Sequence, residues 1–136
     1  MFVGAASLFQ IAMVAGRYYP TVHIAYCVAA VDSLTKHHTT NAFVELVCRL
    51  NPERQASEVQ RLYEKYRSAH FHAGALPGGE SESLDMTSMM IIPKRNQLSK
   101  QIVPRFVHVN MRTVLLRWLA YEDRQRCLRR PQDGGD

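Results

Sequence analysis

The densest polar chemistry in the chain lies between Tyr63 and Gly74. Arg67, Ser68, His70 and His72 fall within six residues at the end of an amphipathic stretch that stops at Gly74. A guanidinium binds a phosphate through parallel hydrogen bonds and keeps its charge at any working pH. It can therefore stabilise charge that builds on phosphorus. An imidazole titrates near neutrality and can take a proton from one oxygen and return it to another. Together they suit phosphodiester chemistry. RNA carries its own nucleophile, the 2′-hydroxyl, so such a site needs no metal. Cleavage requires a base on one side of phosphorus and an acid on the other, which two copies in a symmetric dimer would supply.

On a regular helix Arg67 and His72 lie about 140° apart. The length of arginine and an unwound last turn at Gly74 would let both tips reach one cleft. His70, three residues after Arg67, shares its face more directly. Ser68 adds a hydroxyl, and Tyr63, four residues earlier, can lie under the guanidinium. An Arg and a His at a helix C-terminus also serve simply to satisfy its last carbonyls.

The elements that must carry these residues read as helices. Residues 2–16 form an apolar helix, with Phe2, Leu8, Phe9, Ile11, Ala12 and Val14. Pro20 interrupts it, and Thr21 is placed to cap a second helix over 21–37. Val22, Ile24, Ala25, Val28, Ala29, Val31 and Leu34 cover a wide face of that helix, so it should be central. Asp32 lies inside this apolar run. It is either half-exposed or partnered, because an unpaired buried charge is costly. His37 to Asn41 read as a solvated turn. A third helix follows over 42–50, with Phe43, Leu46, Val47 and Leu50 on one side. Asn51-Pro52 stops it and restarts the chain. Ser57 is a plausible cap for the helix that runs to His72. The span 74–98 reads as a long loop, a lid or a segment crossing the bundle. The last helix runs from 99 or 104 to 126, and Pro104 sits near its start. The tail 131–136 should be disordered. No stretch alternates with period two, so the expected fold is an all-α bundle of four to five helices in a single domain over 1–130.

The 136 residues suffice for one domain with a real core, and 46% apolar against 21% charged is a globular balance. The net charge of +5 favours polyanions without proving nucleic-acid binding. Arg124, Arg126, Arg129 and Arg130 are as well explained by a solvated helix end. Cys27, Cys48 and Cys127 form no close pair, which argues against a disulfide framework and a cysteine-based zinc site. Cys27 and Cys48 read as small hydrophobes in a reducing compartment. No run reaches a membrane span, so a soluble, cytoplasmic protein with no membrane partner is expected. The apolar start also fits one domain of a longer chain.

Arg67-Ser-Ala-His-Phe-His72 resembles the Arg-x4–6-His signature of HEPN domains, and its Arg-Ser start with a His and a Gly following is most similar to the ApeA-like branch. The helix His23–Lys36 is similar to the family's early helix, which holds an acidic residue in an apolar run, here Asp32. Arg105 to Tyr121 resembles the closing helix. The likeness spans roughly residues 20–122. It implies a homodimeric helical bundle with metal-independent ribonuclease activity of the toxin–antitoxin or antiviral defence type. Arg67 and His72 would be the catalytic pair, and Asp32 would orient one of them. Tyr63, Ser68 and His70 are supporting residues, and no cofactor or metal is called for. RNA would be the ligand, and an antitoxin or larger protein a further partner. The other function class is a non-catalytic helical interaction module of a larger defence or regulatory protein.

Overall fold

The computed structural model describes residues 2–15, 19–74 and 94–129. The chain is an all-α bundle of five helical rods, with no strand among the described residues. The rods are α1 (Phe2–Ala15), α2 (Pro20–Asp32), α3 (Thr40–Leu50), a continuous rod over 56–73 and α6 (Lys94–Arg129). The continuous rod comprises α4 (Ala56–Leu62), a π turn (Tyr63–Ser68) and α5 (Ala69–Ala73). No described helix is long and apolar enough to cross a membrane.

α2 is the axis of the bundle, because its residues are apolar nearly all the way round. Thr21, His23, Ile24, Ala25, Cys27, Val28, Ala30, Val31 and Asp32 are all buried. α1 and α6 flank it, with α3 and the 56–73 rod completing the enclosure. The core is filled by Ile24, Val28, Val31, Phe43, Val47, Val59, Tyr63, Val107, Met111 and Val114. Ala5 and Ala12, both fully buried, mark the face by which α1 lies against it. Near the far end of α3, buried Asn51 donates from Nδ2 to Asn110 Oδ1 at 3.2 Å. Arg117 Nη1 donates to Leu50 O at 2.7 Å. These bonds tie the end of α3 to α6.

Several boundaries differ from expectation for local reasons. Pro20 occupies the start of α2, where a missing N–H costs nothing, and Thr21 is buried inside the helix instead of capping it. α2 ends at Asp32, five residues early. Tighter bonds, Leu34 N to Val31 O at 3.1 Å and Thr35 N to Asp32 O at 2.9 Å, close its last turn. His38 then reverses the chain with φ 49°. Thr39 caps α3, its Oγ1 accepting from Ala42 N at 3.3 Å. After Asn51 the chain makes a turn, and α4 starts at Ala56 with Gln55, not Ser57, at its cap position. α6 begins at Lys94, within the span expected as loop, so Pro104 lies in the helix interior. Proline's fixed φ is itself helical, and the run Lys94–Gln101 is composed mostly of good helix formers. The remainder of the expected loop, residues 75–93, and the tail 131–136 lie outside the described residues.

Candidate functional site

The site begins with the π turn. A π turn holds one residue more than an α turn would, and such turns recur at functional sites. Tyr63 and Tyr66 are buried on it, and Arg67 is half-buried with its guanidinium at Asp32, the end of α2. Gly74 ends the rod in the left-handed region, φ 63°, where its N–H bonds His70 O at 3.1 Å.

Asp32, 3% exposed, is the last residue of α2. That position is doubly unfavourable for a carboxylate, because it is dry and faces the negative end of a helix dipole. Arg67 relieves it: Nη2 donates to Asp32 Oδ2 at 3.0 Å. Burial still outweighs the guanidinium and the nearby His38, so the Asp32 carboxyl is held above its ordinary range. The pair is single-armed. Asp32 Oδ1 and Arg67 Nε are both buried without a hydrogen-bond partner among the described residues.

The other arm of Arg67 points outward. Nη1 donates to His72 Nε2 at 3.4 Å, which requires that nitrogen to carry a lone pair. The guanidinium is also held between rings, with Cζ 5.1 Å from the Tyr63 centroid and 5.9 Å from that of Phe71. Phe71 in turn meets Tyr26 of α2 edge-on at 5.4 Å. The structure thus brings Asp32, Tyr63, Arg67 and His72 into one chain of contacts, from a dry carboxylate to an exposed imidazole. Ser68 is half-buried on the π turn beside Arg67. His70 is half-buried, its ring edge-on to Phe71 at 5.2 Å.

Tyr63 spans the site and the turn after α2. Its hydroxyl donates to His38 O at 3.1 Å. Burial first, then the Asp32 carboxylate, pushes the phenol's pKa up, so it stays a neutral donor. His38, expected as part of a solvated turn, is instead tied to Asp32. Its Nδ1 donates to Asp32 O at 3.2 Å and lies 3.9 Å from Oδ2. Only the three-dimensional reversal at His38 brings it back to α2, and sequence spacing carries no sign of that.

A second cluster escapes the sequence reading altogether. His23 and Cys27 on α2 meet His108 on α6, with one ligand-capable atom from each lying within 4.8 Å of the others. In the sequence Cys27 reads as a small hydrophobe, and nothing singles out His108. The crossing of α2 with α6 is what unites them. This cluster shares no residue with the Arg67 site, and its nearest member on α2, Cys27, stands five residues, or about 7.5 Å, from Asp32 along the helix.

Searches against protein-family models, curated proteins and solved structures find no match to this chain.

Proposed function

We propose that the chain is a HEPN-like RNA-binding domain that cleaves RNA without a metal, acting as a homodimer in the cytoplasm through Arg67 and His72. The observation that carries this reading is the Asp32–Arg67–His72 relay. A buried carboxylate holds one edge of a guanidinium while the other edge reaches an exposed imidazole. Arginine has five N–H donors, and one is committed to each neighbour. The remaining Nη hydrogens suit two oxygens of a phosphate. When RNA arrives, the long 3.4 Å bond to His72 yields to phosphate, and Nε2 is freed to act as a base.

The reaction then runs as follows. His72 takes the proton of the 2′-hydroxyl, whose oxygen attacks the adjacent phosphorus. Arg67 stabilises the charge on the non-bridging oxygens. The P–O5′ bond breaks, and His72 of the partner subunit protonates the departing 5′-oxygen. The products are a 2′,3′-cyclic phosphate and a 5′-hydroxyl.

A non-catalytic interaction module of a larger defence or regulatory protein, or one held by an antitoxin, is the second reading. It is favoured by the Arg67–Asp32 ion pair, which already gives the arginine a structural partner. The two readings separate in one experiment. Single-stranded RNA and the matching DNA are incubated with the protein without added divalent ions, and product ends are mapped. Cyclic phosphate ends from RNA alone, lost in Arg67→Lys while the fold persists, support the nuclease. Intact RNA from a confirmed dimer contradicts it.

A further inference from the structure

The histidine–cysteine cluster between α1, α2 and α6 has the make-up of a metal site. His23 and Cys27 are four residues apart, so one turn of α2 presents both on one side. His108 approaches from α6, and the three ligand atoms lie within 4.8 Å of one another. In a tetrahedral site with bonds near 2.0 Å to nitrogen and 2.3 Å to sulfur, neighbouring ligand atoms stand about 3.5 Å apart. His23 Nε2 and Cys27 Sγ are already 3.8 Å apart. The largest closure needed is therefore about 1.3 Å.

Two further observations point to a ligand. His23 Nδ1 donates to Ala12 O of α1 at 2.8 Å. A metal-bound histidine is oriented in the same way, with its second nitrogen held by a carbonyl or carboxylate. This bond fixes the tautomer, leaving the Nε2 lone pair directed toward Cys27. On the opposite side, His108 Nδ1 is buried without a hydrogen-bond partner among the described residues. Its ring is held by Phe9 at 5.1 Å and by His23 at 5.4 Å.

We propose that His23, Cys27 and His108 bind one borderline-soft divalent metal ion of the zinc type, with solvent as fourth ligand. The ion clips α6 to α2, and the carbonyl of Ala12 brings α1 into its outer shell. On binding, the Cys27 thiol forms an S–metal bond and its proton leaves to solvent. His108 is the one ligand of the three that is not fully buried, and the ion enters on its side. Imidazole and thiolate ligands select Zn²⁺ or Co²⁺ over Mg²⁺ or Ca²⁺, which prefer oxygen.

The test uses the reduced protein with Co²⁺ as spectroscopic probe and Zn²⁺ as competitor. One equivalent of Co²⁺ is expected to give a thiolate-to-cobalt charge-transfer band, which Zn²⁺ removes. Zn²⁺ should also raise the melting temperature, and a chelator should reverse the rise. The band should persist in Cys48→Ser and Cys127→Ser and vanish in Cys27→Ala. His108→Phe, which keeps a ring beside Phe9, should weaken Zn²⁺ binding by at least about tenfold. Circular dichroism establishes that each variant folds. No charge-transfer band in the wild type overturns the proposal, whatever the variants do. So does a band that survives Cys27→Ala, or Zn²⁺ affinity unchanged in folded His108→Phe.

Discussion

Arg67 bonds to groups in two very different environments, and its substitutions should reveal both. Removing the half-buried guanidinium leaves the buried Asp32 carboxylate uncompensated. Arg67→Ala is thus expected to cost about 3 kcal/mol in urea unfolding. A cost under about 1 kcal/mol would mean that the Asp32 contact is incidental. The pH dependence of Asp32 has a definite sign. Its carboxyl titrates above the ordinary value of 3.8 in the folded protein, so the folded state holds the proton more tightly than the unfolded chain. Its contribution to stability is full below 3.8 and is lost as pH rises through the folded value. Urea titrations from about pH 3.5 to 7 should show this falling component in the wild type and its absence in Asp32→Asn. A component that rises with pH would contradict the burial argument. At this scale the approach of Arg67 to His72 is legible in the sequence, because their spacing and a terminal glycine mark it. The need of Asp32 for a partner was also legible, from a charge in an apolar run. Its bond to His38, and the meeting of Cys27 with His108, were not, because each depends on how separate segments cross.

The helices place these groups by a few local signals. Thr39 is the clearest, a threonine before an amphipathic run whose hydroxyl accepts from Ala42 N. Thr39→Ala should cost about 1 kcal/mol by chemical denaturation, whereas Thr39→Ser should cost far less. Equal losses would show that the methyl contact matters and the cap does not. The helical class, the central place of α2 and the end of the site rod at Gly74 follow from apolar periodicity and a positive-φ glycine. The π turn leaves no such mark. Its extra residue is stabilised by Tyr63 and Tyr66 finding the core and Arg67 finding Asp32, all contacts outside the rod itself. The early end of α2 is equally hidden, since Leu34 and Thr35 remain buried after the helix has stopped. Pro104 is expected near the start of the last helix and lies in its interior instead, because its fixed φ is compatible with a helix that begins at Lys94.

At the level of the molecule, a net charge of +5 and an exposed imidazole beside an arginine both suit a polyanion. RNA affinity should therefore fall with salt, with a slope of about 0.7 per phosphate contacted on a logarithmic plot. Salt-independent binding would remove the electrostatic basis of the reading. In sedimentation, the active species should be a dimer, because one exposed His72 per chain cannot act on both sides of phosphorus. The most direct measurement compares RNA cleavage by wild type and His72→Ala. His72 is exposed and carries little of the fold, so the variant should melt within about 2 °C of the wild type. Its cleavage rate should fall at least about 100-fold. An unchanged rate in folded, dimeric His72→Ala would contradict the account.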